Sequence, residues 1–389
     1  MDPASQEASA LTGRSRCLAA IAGEKPDRLP NYTPTVACET ASRMLGRPVH
    51  TGTGSLWRAE AEALLRGDHA FADFEAAVDE DLLALARLMK TDAIRYGWRM
   101  SRKPAKKLDE NTFLYGDPDG IWEMWTYDPA SGNYGMIETN AAPAEPEDWP
   151  EKARRAAASL ERDVANVRCN AGRWEEAMQK RVGEEFLVLG TGGSFSVGVT
   201  EAALMACLLE PGAMADLLDC QLEIAKAAAD AAAERGIAAI LGGGDMADNG
   251  GTMYSPELFR ELMLPRLRAF CRYCRGRGVH YIWRSDGKLW NIADDLFLDA
   301  GIPGYGEVDF LATMTAAELR RRYPEIVLWA NVAGDILCRG SVEKVRLHVE
   351  EVLRGGGATR HFFGCSNTIL AGTPLENIQA FLETADAWR

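Results

Sequence analysis

The chain has 389 residues, of which 47% are hydrophobic and 26% charged, a composition typical of a globular protein that buries a large core. Its formal net charge of −14, from 43 basic and 57 acidic residues, argues against a nucleic-acid partner, which requires a basic surface. No apolar run reaches the ~18 residues of a membrane span and the N-terminal segment lacks a signal-peptide pattern, so we expect a cytoplasmic protein without membrane contact.

In chain order, short apolar runs alternate with longer helical stretches. Segments 29–35 and 93–96 are predicted as the first two strands, and helices such as 215–235 and 341–354 separate later ones. Six further strands are predicted at 186–189, 237–241, 279–283, 304–306, 326–329 and 360–363. Strand–helix units in series predict a parallel sheet, and a count of eight favours closure into a barrel. We therefore predict an α/β protein with the (β/α)8, or TIM barrel, fold.

One segment, 113–149, interrupts this rhythm. It is rich in glycine, proline and aromatic residues, and it is predicted as an insertion over one mouth of the barrel. No linker, internal repeat or low-complexity tract divides the chain. Residues 1–389 are therefore predicted to form a single domain that carries this insertion.

Polar residues follow the apolar runs where the predicted strands end. Because the chemistry of (β/α)8 barrels takes place at the carboxyl ends of the strands, these residues are expected to line one cavity: Asp245, Arg284, Asp286, Glu307, Asn331 and Cys365. Such a set can bind a metal or an anionic substrate and can move protons, although each residue taken singly could serve only to close a loop. His280 and His361 begin their strands and are expected at the opposite, stabilising face.

A glycine-rich stretch, 190–194, follows the predicted strand 186–189. It lacks the lysine of a Walker phosphate loop and the spacing of a GxGxxG loop. Its glycines are better explained by a close approach of the strand end to a ligand, which makes Ser194 a candidate substrate contact. Tyr32, in the first predicted strand, is a second candidate contact.

Six short stretches resemble, in order, those of the uroporphyrinogen decarboxylase superfamily. They are EKPDRLP at 24–30, GDM at 244–246, YSPELF at 254–259, SDG at 285–287, GEVD at 306–309 and TPLENI at 373–378. The resemblance is collinear, covers residues 20–389 and implies a (β/α)8 barrel.

The resemblance is closer to the methyltransferases of this superfamily than to the decarboxylase itself. The decarboxylase grips its porphyrinogen carboxylates with an arginine-rich loop, whereas the corresponding stretch here, 31–37, reads NYTPTVA and contains no arginine. A net charge of −14 also disfavours a substrate with eight carboxylates. The resemblance therefore implies the corrinoid-dependent branch, similar to methylcobamide:coenzyme M methyltransferases and O-demethylases.

Those methyltransferases commonly hold zinc with a His-x-Cys pair at one strand end and a cysteine at the last. Arg284 and Asp286 stand at the positions of the pair, and only Cys365 matches. Arginine stays protonated and cannot bind a metal. If zinc is present, the expected ligands are Glu307 and Cys365, with Asp245 or Asp286 as a third; a metal-free site is the other alternative. No DxHxxG cobalamin motif is present, so a corrinoid would be carried by a separate protein.

Three functions remain open at this point. The leading hypothesis is a methyltransferase that moves a methyl group between a small methylated, for example methoxylated, compound and a separate corrinoid protein. Arg284 would bind an anionic aromatic substrate, and the catalytic residues would be Asp245, Asp286, Glu307 and Asn331. The alternatives are a metal-free decarboxylase or lyase acting on a small carboxylic acid, with Asp245 or Asp286 as proton donor, and a non-catalytic binding protein. A homodimer is one alternative for the oligomeric state.

Overall fold

The computed structural model of the protein describes residues 11–142, 147–329 and 331–388. Its strands are β1 (Thr35–Val36), β2 (Ala93–Arg95), β3 (Lys106–Lys107), β4 (Thr112–Gly116), β5 (Trp122–Asp128), β6 (Asn133–Thr139), β7 (Leu187–Thr191), β8 (Ala239–Gly243), β9 (His280–Arg284), β10 (Gly304–Gly306), β11 (Val327–Trp329), β12 (His361–Phe362) and β13 (Thr368–Ile369). Its helices are α1 (Gly13–Ala22), α2 (Cys38–Leu45), α3 (Thr53–Arg66), α4 (Asp68–Leu88), α5 (Trp149–Asn170), α6 (Arg173–Val182), α7 (Glu201–Leu209), α8 (Pro211–Glu234), α9 (Pro256–Leu258), α10 (Leu264–Gly276), α11 (Ala316–Arg322), α12 (Gly334–Arg339), α13 (Val342–Gly356) and α14 (Leu375–Ala387). Two π-helical turns, Phe259–Met263 and Asp295–Asp299, precede α10 and β10.

Seven parallel strands form one curled sheet in the order β12, β11, β10, β9, β8, β7 and β2. An eighth extended segment closes the ring between its two edges. On one side, the Phe363 N–H donates to the Pro30 carbonyl (2.8 Å) and the Tyr32 N–H donates to the Phe363 carbonyl (2.7 Å). On the other side, the Asp92 N–H donates to the Asn31 carbonyl (2.7 Å). The predicted (β/α)8 barrel, including a first strand within 29–35, is thereby confirmed.

Alternate residues of the strands fill the inside of the barrel, as the twofold period of a strand requires. Trp329 lies over Phe362 with ring centroids 3.5 Å apart, and the edge of Tyr32 meets the Trp329 ring. The inner core consists of buried, mostly apolar side chains: Tyr32, Ala93, Leu187, Leu189, Ala239, Leu241, Ile282, Val327, Trp329 and Phe362. The centre of the barrel is therefore filled by side chains.

Helices such as α8 and α13 cover the outside of the barrel with an apolar face. In α13, Val345, Val349 and Val352 recur at helical spacing and are buried, and the Ser341 side chain caps the helix by accepting from the Lys344 N–H. This matches the helix predicted at 341–354, and α8 matches the one predicted at 215–235. No helix of the described ranges combines the length and the apolar character needed to cross a bilayer.

The segment predicted as an insertion contains most of a separate antiparallel sheet, in the order β3, β4, β5 and β6. It packs on α3, where the Gly54 N–H donates to the Gly132 carbonyl (3.2 Å). A Cβ at Gly54 would lie 2.5 Å from that carbonyl oxygen, so only glycine permits this close approach. Residues 143–146 of the predicted insertion, and residues 1–10, 330 and 389 of the predicted domain, lie outside the described residues.

Candidate active site

A cavity of about 830 Å³ opens at the carboxyl ends of the barrel strands. Its walls come from the strand ends and from the elements that lie above them, which are α3, the loop after β2 and the antiparallel sheet. The lining residues are Thr35, Thr53, Gly54, Trp57, Arg95, Trp98, Asn133, Tyr134, Gly135, Ser194, Gly243, Gly244, Asp245, Arg284, Asp286, Glu307, Asn367 and Thr368. The barrel therefore places its cavity at the end where such folds carry out chemistry.

Three carboxylates follow neighbouring strands and meet in this cavity. Asp245, Asp286 and Glu307 come after β8, β9 and β10, and each offers an oxygen within 4.8 Å of the others. Burial raises the pKa of Asp286 to about 7, helped by the negative charges of Glu307, Asp245 and Asp309. The carboxyl group of Asp286 can therefore both donate and accept a proton near neutral pH.

Asp286 also has hydrogen-bond partners. The side-chain amide of Asn367 donates to Oδ2 of Asp286 at 3.1 Å, and the Asp286 N–H makes a long contact of 3.4 Å to Oδ1 of Asp245. The Asn367 bond favours the ionised carboxylate and so opposes the rise in the pKa of Asp286. Asn367 lies in the loop between β12 and β13, so the last barrel strand also contributes to the site.

An ion pair joins two of the predicted site residues. Nη1 of Arg284 lies 2.8 Å from Oε1 of Glu307, and both side chains are largely buried. Burial raises the pKa of Glu307, while the Arg284 guanidinium opposes that rise. Glu307 has a φ of +60°, a strained conformation for a residue other than glycine, which is often found at functional sites. Its carboxylate is thus held in one place by its backbone and by its partner.

The backbone beside Arg284 depends on a glycine. Gly243, the last residue of β8, has a φ of +109°, and a Cβ there would lie 2.3 Å from the Arg284 carbonyl oxygen. That carbonyl accepts a hydrogen bond from the Gly244 N–H at 3.0 Å. Strands β8 and β9 are therefore drawn together where Asp245 and Asp286 begin their loops.

A second arginine in the cavity was not anticipated from the sequence. Arg95 is the last residue of β2 and is only 8% exposed. Its Nε donates to the Pro34 carbonyl (3.2 Å) and its Nη2 to Oγ1 of Thr35 (3.1 Å), and burial lowers its pKa. Arg95 is a polar residue at the end of a predicted strand, so the same signal that identified Arg284 could have identified it.

Ser194 lines the cavity as expected, whereas Tyr32 lies beneath it. Tyr32 is 2% exposed, and its hydroxyl is enclosed beside the Arg95 side chain. It lies close enough to Arg95 for the two side chains to alter each other's pKa. Tyr32 therefore belongs to the floor of the site.

Two predicted site residues do not reach the cavity. The first, Cys365, lies on the helix-facing side of the barrel with Phe363, and it is fully buried beside residues such as Val332 and Ile369. Burial raises the pKa of its thiol to about 12. Asn331 is 1% exposed, and its amide nitrogen lies 2.8 Å from Nε2 of His361. The placement of both residues at the cavity was wrong. Alternation from the inward-facing Phe362 turns Cys365 toward the helices, whereas Asn331 is enclosed against His361.

Both histidines begin their strands, as expected, and neither lines the cavity. His280 is enclosed near Trp329, with ring centroids 6.0 Å apart, and burial lowers its pKa to about 4. His361 also has a pKa of about 4 because of burial, and its Nδ1 lies 3.1 Å from the Gly357 carbonyl. Both side chains are neutral parts of the packing at physiological pH.

The upper wall of the cavity is aromatic. Trp57 of α3 donates from its indole N–H to the Trp98 carbonyl at 2.9 Å, and Tyr134 comes from β6. Aromatic faces of this kind favour a flat, apolar ligand body. These residues lie outside the strand-end pattern, so the sequence offered no specific signal for them.

The donor set does not match the zinc site implied by the sequence resemblance. Among the described residues, the group that could hold a metal is Asp245, Asp286 and Glu307, which offers only oxygen atoms. Zinc sites of the expected kind use cysteine or histidine, and Cys365 lies in the outer core. One carboxylate, Glu307, is already paired with Arg284. The cavity therefore does not supply the Glu307–Cys365 pair.

Comparisons with known proteins give one matching family and one solved structure similar over the whole chain. The model of the family described as uroporphyrinogen decarboxylase (URO-D) matches residues 192–388. The structure is similar to that of a methyltransferase from Methanosarcina mazei, with a TM-score of 0.65 and 18% sequence identity over 97% of this chain and 98% of that chain. At this identity the likeness establishes a shared fold. A search among curated protein sequences gives no match.

Two other solved structures show weaker likeness. One is a sugar phosphate isomerase/epimerase from Parabacteroides distasonis, with a TM-score of 0.32 and 10% identity over 56% of this chain and 74% of that one. The other is a B12-independent methionine synthase from a Shewanella species, with a TM-score of 0.34 and 10% identity over 92% and 96% of the two chains.

Proposed function

The chain belongs to the uroporphyrinogen decarboxylase family, and from that premise we propose that it is a methyltransferase. It moves a methyl group between a small methylated compound in the barrel cavity and a corrinoid on a separate protein. The observation that carries the proposal is Asp286, a carboxyl group with a pKa of about 7 in an open cavity beside the Arg284–Glu307 pair. The likeness of the whole chain to a methyltransferase from Methanosarcina mazei supports this choice within the family.

The size of the cavity suits a small substrate. Its volume of about 830 Å³ lies within the range of roughly 300–1,000 Å³ that is usual for small-molecule sites. Its aromatic wall, with Trp57 and Trp98, can cover a planar body, and its polar floor can hold charged groups. Among the described residues that line this cavity, a porphyrinogen with eight carboxylates would meet two arginines, Arg95 and Arg284.

Loss of a methyl group from an ether needs a proton at the oxygen. When the bond between methyl carbon and ether oxygen breaks, the methyl group passes to the acceptor and the bonding electrons stay on oxygen. A reduced corrinoid on the partner protein would supply the electron pair that forms the new bond to the methyl carbon. Asp286, which is about half protonated near pH 7, gives its proton to the departing oxygen and regains one from solvent.

The Arg284–Glu307 pair tunes this proton donor. Glu307 makes the largest charge contribution to the raised pKa of Asp286, and Arg284, 2.8 Å from Glu307, favours the ionised form of that glutamate. Asp245, which is exposed at the mouth, adds a second negative charge. Burial, together with the negative charges of Glu307 and Asp245, holds the pKa of Asp286 near the pH at which a proton donor is most effective.

The same geometry supports one other reaction. A small carboxylic acid held by an arginine could lose CO2, and Asp286 could then protonate the carbon that carried it. The presence of two arginines in the cavity favours this second candidate, a metal-free decarboxylase. The two reactions differ in their products and in their need for a corrinoid.

The deciding experiment combines purified protein with chemically reduced cobalamin and a panel of methoxylated and methylated compounds. We expect a demethylated product by mass spectrometry, together with the absorbance change that accompanies methylation of cobalamin. The matched control is Asp286→Asn, which should lose about 10²-fold or more in rate. Release of CO2 without cobalamin would instead identify the decarboxylase and overturn the methyltransferase proposal.

A further inference from the structure

A second cavity, which we call the outer cleft, lies outside the ring of strands and away from the candidate active site. Its volume of about 300 Å³ is at the lower end of the range of roughly 300–1,000 Å³ that is usual for small-molecule sites. Its walls are the ends of α4, α13 and α14 and the segment 25–31, which includes the start of the closing strand. None of its lining residues lines the barrel cavity, so the proposed reaction makes no use of it.

The walls of the outer cleft are largely apolar. Many of its lining side chains belong to the outer core or pack against it: Leu29, Met89, Leu353, Phe363, Leu382, Ala385 and Trp388. The Trp388 ring offers an aromatic face, and the guanidinium carbon of Arg354 lies 6.0 Å from the centre of that ring. An apolar ligand body would exchange water for these side chains, which is favourable.

The charged residues of the outer cleft are mostly basic, although the protein has a formal net charge of −14. Four basic residues line the cleft against two acidic ones: Lys25, Arg28, Lys90 and Arg354 against Asp27 and Asp386. This excess of positive charge attracts an anion, whereas the two carboxylates disfavour a ligand with a second negative charge.

Two of the basic residues are already neutralised. The guanidinium of Arg28 contacts both carboxylate oxygens of Asp92, at 2.7 and 2.9 Å. Nζ of Lys90 lies 2.5 Å from Oδ2 of Asp386. These pairs join the segments that form the cleft, so Arg28 and Lys90 hold its walls together.

The other two basic residues are available to a ligand. Arg354 comes no closer than 4.0 Å to Glu350, and 69% of its side chain is exposed. Lys25 is also exposed and forms no ion pair within the part of the chain that the structure describes. Because Lys25 and Arg354 come from two different walls, a carboxylate between them can contact both cations.

The floor of the outer cleft is the seam that closes the barrel. The Phe363 N–H donates to the Pro30 carbonyl (2.8 Å), and the Asp92 N–H donates to the Asn31 carbonyl (2.7 Å). Leu29, Asn31 and Phe363 all line the cleft. A ligand there therefore contacts both partners of the Phe363–Pro30 hydrogen bond's two strands, and it stabilises the closed ring because it binds only the folded protein.

We propose that the outer cleft is a binding site for a small apolar carboxylate. Lys25 and Arg354 bind its carboxylate, and its apolar body packs against Trp388 and Leu382. This ligand is separate from the substrate in the barrel cavity, and its binding stabilises the seam between the first and the last strand of the ring.

The probe is octanoate, compared with uncharged octanol, which has a chain of the same length. In calorimetric titrations the wild-type protein should bind octanoate about tenfold or more tightly than octanol, since charge-assisted contacts are added. Saturation with octanoate should raise the melting temperature and slow hydrogen exchange in α14, which forms one wall.

A cavity-filling variant locates the binding. Ala385 lines the outer cleft, so the ring of Ala385→Phe should occupy the space of the ligand body and lower the affinity for octanoate about tenfold or more. The matched control is Ala387→Phe, at an exposed position of the same helix that does not line the cleft, and it should bind as the wild type does. If Ala385→Phe does not fold, Ala358→Phe places the same ring at an exposed lining position.

A charge variant tests the two cations. Lys25→Gln combined with Arg354→Gln should abolish the preference for octanoate over octanol and leave the affinity for octanol within about twofold, because only the contacts to the carboxylate are lost. The control combines Lys344→Gln with Arg272→Gln, which removes the same charge at two exposed positions outside the cleft. It should keep the preference.

Four outcomes would overturn the proposal. The first is no binding of octanoate by the wild-type protein, and the second is equal affinity for octanoate and octanol. Unchanged octanoate binding by folded phenylalanine variants at positions 385 and 358 would place the ligand elsewhere, for example in the barrel cavity. An equal loss of preference in both charge variants would show a general effect of net charge instead of a site.

Discussion

Nη1 of Arg284 contacts Oε1 of Glu307 at 2.8 Å, with 17% of the arginine side chain and 10% of the glutamate side chain exposed. The contact joins the end of β9 to the residue after β10, so it links two neighbouring strands at the cavity floor. Because the pair is largely enclosed, water cannot readily solvate either charge in place of the missing partner. Removal of one partner therefore leaves the other charged and buried. The pair is therefore both a structural link and an electrostatic element of the site.

The first prediction concerns the two ways of changing Arg284. Arg284→Lys should keep the pair and lower the free energy of unfolding by about 1 kcal/mol, whereas Arg284→Met should lower it by about 3 kcal/mol because Glu307 is left unpaired. Urea unfolding of the three proteins measures both values. Equal stability of the lysine and methionine variants would show that the pair contributes no stabilisation.

A second prediction follows from the pKa of Asp286, which rises from an ordinary 3.8 to about 7 on folding. The folded protein then holds this proton more tightly than the unfolded chain, so the stabilising contribution is present at low pH and is lost as pH rises toward 7. Asp286→Asn should therefore raise the melting temperature at pH 8 and leave it nearly unchanged at pH 4. A melting temperature that rises equally at both values would contradict the pKa assigned to this carboxyl.

The pH dependence of kcat should also report the ionisation of Asp286. If Asp286 is the proton donor, kcat falls as pH rises above about 7, because the protonated form disappears. Asn367→Ala removes the hydrogen bond that favours the ionised carboxylate, so the alkaline limb of the kcat profile should move to higher pH. Measurement of kcat from pH 5 to pH 9 for the two proteins tests this. A limb that stays in place would show that Asn367 does not act on Asp286.

The final prediction concerns Cys365. Because its thiol is fully buried in the outer core, Cys365→Ala should leave the metal content and the activity of folded protein unchanged. Cys365→Ser should cost about 1–3 kcal/mol of stability, since a hydroxyl enters an apolar site. Metal analysis and chemical unfolding check both statements. Loss of a bound metal in the alanine variant would restore Cys365 as a ligand.

The sequence predicted the barrel because its signal is repeated in each strand–helix unit. Polar residues follow the predicted strands at their carboxyl ends. Four of them line one cavity as expected: Asp245, Arg284, Asp286 and Glu307. The first strand, predicted at 29–35, contains residues 30–32, which close the ring.

Side-chain direction was the part that the sequence could not supply. A strand-end position identifies the correct end of the barrel, but one residue more or less turns a side chain from the cavity to the helices, as Cys365 illustrates. Asn331 is instead held away from the cavity by its contact with His361. Trp57 and Tyr134 reach the cavity only because α3 and the antiparallel sheet pack over it. Such contacts join distant segments and leave no local pattern.

The closure of the ring has a consequence for how the protein acquires its site. Tyr32, Thr33 and the Pro34 carbonyl that orients Arg95 all belong to the strand region that pairs with the end of the chain, where the Cys365 N–H bonds to the Thr33 hydroxyl across 332 residues. Contacts this far apart in sequence form late, because their chain entropy must be overcome first. During synthesis the cavity floor stays incomplete until the last strand leaves the ribosome, so a nascent or C-terminally shortened chain gains the barrel helices before it gains the ability to bind a ligand.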